Sequence, residues 1–151
     1  MTLVDGVGGA FIFSEDPKRL ADWYAEHLGI EFEGSEEFGA FYVRYVAADP
    51  DDPAWVMDTT FAIMKAKGPV PRMARNEGAE QADMYGDQPF MVNLRVRDLD
   101  AVLEHLAARG VEPRRRDDEG YALFAWILDG DGNRVELYEP RVEAALGAAQ
   151  A

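Results

Sequence analysis

The segment Arg134-Val135-Glu136-Leu137-Tyr138 alternates polar and apolar residues, the pattern of a strand with one wet and one dry face. If Glu136 points into a cavity, Arg134 and Tyr138 point there too, and Val135 and Leu137 pack under a helix. The same alternation groups Met91, Asn93 and Arg95 on one face, with Val92, Leu94 and Val96 on the other. A carboxylate, an amide and a guanidinium so arranged offer a general base in Glu136 and an oxyanion-holding cation in Arg95, with Asn93 to orient a ligand. An internal Glu136–Arg95 ion pair is the structural alternative, because two charged groups on a concave face need partners.

Other chemistries are excluded or disfavoured by residue type. The chain has no cysteine, which removes disulfides, thiolate metal ligands and a cysteine nucleophile. Its two histidines, His27 and His105, fall within helical stretches, where packing or surface roles are the ordinary ones.

The elements that must position these groups are written twice. A strand at Val7 to Phe13 is followed by Ser14-Glu15-Asp16-Pro17 and then by Leu20, Trp23, Tyr24, His27 and Leu28 at the spacing of one helical face. Ser14 or Asp16 can cap that helix, Pro17 suits its first turn, and Gly29 can close it in the left-handed conformation. The second half repeats the grammar with a strand at Phe90 to Val96, Asp98 as cap, Leu99, Val102, Leu103, Leu106 and Ala107 as the apolar face, and Gly110 as the stop.

Three extended segments follow each helix. In the first half they are Ile30 to Glu33, Ala40 to Ala47 and Thr59 to Ala66, and in the second Val111 to Arg115, Tyr121 to Leu128 and Arg134 to Tyr138. The last two are joined by Asp129-Gly130-Asp131-Gly132-Asn133, a run suited to positive φ. Each half thus predicts a β-α-β-β-β module in an α+β fold, and the two modules are expected to build one curved mixed sheet around a cavity, with helices on the outer face. The expected boundaries are about 6–66 for the first module, 67–88 for a linker, 89–140 for the second module and 141–151 for a tail, all within one domain. The linker is long enough to serve as a lid or as a plain connector.

Composition fits a globular chain of 151 residues with 48% apolar residues. With 15 basic residues against 29 acidic ones the net charge is −14, so a phosphate backbone is repelled and nucleic acid is not an expected partner. No membrane span and no basic-then-apolar leader is visible, and a cytoplasmic location is the expectation.

Three phrases carry a family resemblance: residues 16–29 (Asp-Pro-Lys-Arg-Leu-Ala-Asp-Trp-Tyr-Ala-Glu-His-Leu-Gly), residues 88–100 (Gln-Pro-Phe-Met-Val-Asn-Leu-Arg-Val-Arg-Asp-Leu-Asp) and residues 129–140 (Asp-Gly-Asp-Gly-Asn-Arg-Val-Glu-Leu-Tyr-Glu-Pro). Together they resemble the vicinal-oxygen-chelate superfamily of glyoxalases, bleomycin-resistance proteins and extradiol dioxygenases, over about residues 7–140. Metal-dependent members hold a divalent ion through a residue opening the first strand of each module, commonly histidine, and a carboxylate on the last strand of each. The resemblance puts Gly9, Met91 and Glu136 at three of those positions; Phe61 to Lys65, in the fourth, holds no carboxylate or imidazole.

The resemblance also turns Phe124 and Trp126 toward the cavity and, by symmetry between modules, Phe11, Phe13, Tyr42 and Arg44. With Met91, Asn93, Arg95 and Tyr138 these form a candidate ligand-binding set, aromatic with a few polar anchors; each aromatic taken alone also suits plain core. The function it implies is a bleomycin-resistance-like homodimer that sequesters a small aromatic or hydrophobic molecule, with no cofactor expected. The alternative is a lyase, isomerase or dioxygenase-type enzyme, using a divalent metal or Glu136 as general base.

Overall fold

The computed structural model describes residues 3–70 and 90–141. Most of the linker, residues 71–88, and all but the first residue of the tail lie outside the described residues, and so does the lid expected there. The chain divides into two compact units, Met1–Val70 and Pro71–Ala151.

In the first unit β1 (Gly9–Ser14) leads into α1 (Pro17–Leu28), followed by β2 (Glu33–Ser35), β3 (Ala40–Ala48) and β4 (Val56–Lys65). The sheet order is β1-β4-β3-β2, with β1 parallel to β4 and the other pairs antiparallel. The helix starts where the sequence supplies a cap: Asp16 accepts from the Arg19 amide, and Pro17 stands first, where no donor is required. It ends at Gly29, whose φ of 66° lets its amide and that of Ile30 reach back to the Ala25 and Tyr24 carbonyls. Leu20 and Tyr24 are fully buried, and the Tyr24 ring meets Phe61 of β4 edge-on at 5.4 Å. Truncating Leu20 to alanine is expected to cost about 2–5 kcal/mol.

The second unit repeats the plan with β5 (Val92–Arg95), α2 (Leu99–Ala107), β6 (Arg115–Asp118), β7 (Ala122–Leu128) and β8 (Arg134–Pro140). Its order is β5-β8-β7-β6, again with the first pair parallel. Asp98 caps α2 through the Ala101 amide, and Leu99 and Leu106 are fully buried; α2 lies against β7 and β8, where Val135, Leu137, Ala125 and Ile127 are buried. Each unit therefore forms a mixed four-stranded sheet with one helix packed on it, the β-α-β-β-β module expected from the sequence in an α+β fold.

Two strands are displaced from their expected positions, each for a local reason. The strand expected at Ile30 to Glu33 begins only at Glu33, because the Ile30 amide is spent closing α1 and Phe32 turns inward against Tyr24 and Phe61. The strand expected at Val111 to Arg115 runs instead from Arg115 to Asp118. The Val111 amide closes α2 on the Leu106 carbonyl, and Pro113 has no ladder donor to offer, so pairing starts with Arg114 N–H on the Trp126 carbonyl. A strand of four charged residues is tolerable because it is the edge of its sheet.

Candidate functional site

The turn before β8 fixes where Glu136 stands. Asp129, buried, accepts the Asp131 and Asn133 amides on Oδ1 and the Asn133 side chain on Oδ2, each at 2.9 Å. Gly132 supplies the single positive φ of that run, 84°. This knot sets the β7–β8 register, which pairs Leu128 with Arg134, Trp126 with Glu136 and Phe124 with Tyr138. On its other side β8 pairs Glu136 with Asn93 and Tyr138 with Arg95, while β6 pairs Arg115 with Trp126 and Asp117 with Phe124. One face of the second sheet thus carries Asn93, Arg95, Arg115, Asp117, Phe124, Trp126, Arg134, Glu136 and Tyr138. The other carries the residues under α2.

At the centre of this face Glu136 is only 8% exposed. Asn93 donates to one carboxylate oxygen at 2.6 Å, and the Trp126 indole N–H donates to the other at 2.8 Å. A buried carboxylate needs such donors, and here they come from the two neighbouring strands rather than from Arg95, which is exposed. The anticipated Glu136–Arg95 ion pair gives way to neutral donors because both stand directly opposite in register, whereas Arg95 is opposite Tyr138.

Aromatic rings run on from the Trp126 that holds the carboxylate. Phe124 stacks on Trp126 with centroids 5.9 Å apart, leans on Tyr138 at 5.5 Å and meets the exposed Tyr121 edge-on at 5.8 Å. Trp126 is 2% exposed, with the Arg115 guanidinium 5.5 Å over its ring and Asp117 ion-paired to that guanidinium. Phe124 and Tyr138 are half-buried and Tyr121 is exposed, so a ligand can reach these three rings. The Arg115–Asp117 pair and Tyr121 escaped the sequence reading. The signal is present, since Arg115 and Asp117 alternate with Arg116 and Asp118, but the sequence pattern predicts a strand that begins four residues earlier.

The first unit presents a second, simpler face. Phe11 pairs in register with Ala62 and Phe13 with Met64, while Tyr42 and Arg44 stand across β4 at Ala62 and Thr60. Phe11 and Phe13 are 57% and 55% exposed. Tyr42 meets Phe38 edge-on, and Arg44 is held by Asp58 at 2.8 Å. α1 lies against the opposite side, where Ile12, Phe61 and Ile63 are buried. Met91 precedes β5 and is half-buried.

The register also fixes which residue of the first unit corresponds to Glu136. Phe11 and Asn93 each precede a capping aspartate by five residues, and their partners are Ala62 and Glu136, so the counterpart of Glu136 is a buried alanine. Gly9 has no room for a ligand: a Cβ there would lie 2.2 Å from the Thr60 carbonyl oxygen. Met91 offers a soft thioether, which leaves Glu136 as the one hard donor at the four positions. These residues do not fit a divalent ion. Among the described residues no group of three or more histidine, aspartate and glutamate side chains is placed to hold one.

The histidines sit away from both faces. His27 is buried in α1, stacked on Trp23 at 4.4 Å and bonded through Nδ1 to the Trp23 carbonyl; His105 is exposed beside Arg109 on α2. Among the described residues no helix is long and apolar enough to cross a membrane.

Many solved structures share this fold. A glyoxalase family protein from Bacillus anthracis superposes with a TM-score of 0.62 at 14% identity, over 93% of this chain and 99% of that one. TnmS3, an antibiotic binding protein from Streptomyces sp. CB03234, gives 0.59 at 19% identity over 93% and 100%. Lactoylglutathione lyase from Agrobacterium tumefaciens gives 0.59 at 11% over 91% and 96%. No curated protein matches the chain. The family model for the Glyoxalase/Bleomycin resistance protein/Dioxygenase superfamily matches residues 6–137, and with the doubled β-α-β-β-β module this chain belongs to that superfamily.

Proposed function

We propose that the protein binds a small planar aromatic molecule on the face of its second sheet and sequesters it without a metal. One observation carries this reading: a buried carboxylate, Glu136, is held by Asn93 and Trp126, and Trp126 opens a row of rings from which Phe124 and Tyr138 remain reachable. Rings supply area at little entropic cost, and a fixed polar centre orients what lands on them. Phe11, Phe13, Tyr42 and Arg44 form a second candidate contact face on the first unit. An antibiotic binding protein and a lyase both occur among the structural neighbours, so likeness alone favours neither.

The poor donor set at Gly9, Ala62, Met91 and Glu136 supports binding over metal-assisted catalysis. Native mass spectrometry of the purified chain tests the reading directly, with a co-purified aromatic compound as the expected result. Calorimetric titration with manganese, zinc and iron(II) is expected to give no tight one-to-one binding; a tight site would put the lyase, isomerase or dioxygenase-type alternative first, and turnover that depends on Glu136 would make that residue its general base. We further propose a homodimer, to which the exposed Tyr45, Val46, Trp55 and Val56 at the β3–β4 end lend apolar area, and light scattering would measure it.

A further inference from the structure

We infer that the molecule bound on the second sheet is an anion, a planar aromatic ring system bearing a carboxylate or an ionised phenol. The inference rests on the binding reading above and adds the sign of the ligand's charge. The net charge of −14 suggests the opposite, a cationic ligand, but that charge belongs to the chain as a whole. A ligand in contact with the sheet feels the groups on the face beside it most strongly, because screening limits the reach of exposed charges to about 8 Å at physiological salt.

On this face three guanidinium groups, Arg95, Arg115 and Arg134, accompany two carboxylates, Asp117 and Glu136, and both carboxylates are already engaged. Glu136 is buried with a donor on each oxygen, and Asp117 is ion-paired to Arg115. An incoming ammonium would have to share each carboxylate with the donor that already holds it. Arg95 is the reverse case: it is exposed, forms no ion pair among the described residues, and stands opposite Tyr138 in the β5–β8 register. A guanidinium beside a reachable ring matches a ligand whose ring stacks on Tyr138 and Phe124 while its carboxylate or phenolate takes the planar donor fork.

The test uses three probes with one ring system: 2-naphthoate, 2-naphthol, which is neutral at pH 7, and 2-naphthylmethylammonium, titrated into the full chain by calorimetry. The expected order is naphthoate tightest, by about tenfold over naphthol, the size of one charge-assisted hydrogen bond, with the ammonium weakest. Raising the salt should reduce the naphthoate advantage, and Arg95→Gln should cut the naphthoate-to-naphthol ratio about fivefold or more. Because Arg95 is exposed, the variant should keep the parent's circular dichroism. Ammonium binding as tight as naphthoate, or an unchanged ratio in Arg95→Gln, overturns the charge assignment and leaves the aromatic site standing. Failure of all three probes overturns the binding reading and this inference with it.

Discussion

Ala62 and Glu136 occupy the same register position in their two units, Ala62 opposite Phe11 on β1 and Glu136 opposite Asn93 on β5. The repeat conserves backbone pairing while the chemistry at this point differs completely. Around Glu136 the neighbouring strands supply an amide and an indole donor; the residues facing Ala62 are Phe11 and Tyr42. One module therefore carries a polar centre and the other an aromatic slope.

Exchanging the two residues' character should expose this difference. Glu136→Gln replaces a double acceptor by an amide with one acceptor and one donor group, so Trp126 keeps the oxygen, Asn93 must turn to present its own oxygen, and both charge-assisted hydrogen bonds are lost. We expect a loss of about 1–3 kcal/mol in urea unfolding. Ala62→Glu sets a carboxylate between Phe11, which offers no donor, and Tyr42, which offers one hydroxyl, and should cost about 2–3 kcal/mol. A neutral outcome for both would mean that the Glu136 hydrogen bonds contribute little to the fold.

Gly9 should resist any side chain. A Cβ would meet the Thr60 carbonyl oxygen at 2.2 Å, and that oxygen belongs to β4 backbone, so β1 and β4 must part to admit it. Gly9→Ala is expected to cost about 1–3 kcal/mol by denaturant titration. Gly9→His should destabilise as well and bring no calorimetric affinity for manganese or zinc.

Asp129→Ala should damage more than its turn. The aspartate gathers three donors from Asp131 and Asn133 in a buried place, and the strands it joins hold Trp126 opposite Glu136. Losing hydrogen bonds to a buried charge predicts about 2–3 kcal/mol of destabilisation. Trp126 fluorescence should shift as the indole loses its fixed partner, and an unchanged emission spectrum would separate the turn from the site.

These features differ in how plainly the sequence declares them. Both helices were legible from Asp16, Pro17, Gly29 and Asp98, because capping and the spacing of Leu20, Tyr24, Leu99 and Leu106 are local rules. The common face of Asn93, Glu136 and Tyr138 was legible because alternation along a strand is equally local. The partners of Glu136 were not. An Arg95 pair satisfied charge balance on paper, but which side chain meets the carboxylate depends on strand pairing, and that put Asn93 and Trp126 alongside. The Arg115–Asp117 pair over Trp126 was hidden for a related reason: four consecutive charged residues carry no hydrophobic signal, and an edge strand needs none.

The same edge strand gives a prediction in pH. Asp118 accepts the Gly120 amide at 2.9 Å and the Arg141 guanidinium at 2.6 Å; the backbone hydrogen bond first, then Arg141, and then the charge of Arg116 hold its carboxyl below the ordinary aspartate range. A carboxyl depressed on folding adds stability that is present above its unfolded midpoint and disappears as the pH falls through the folded one. The titration of Asp118 followed by carbon-detected NMR should therefore have its midpoint on the acid side of the ordinary aspartate value. Arg141→Ala should move it upward only part of the way, since the Gly120 amide, the leading cause, remains. A midpoint that returns fully to the ordinary value would show that Arg141, and not the turn, governs the group.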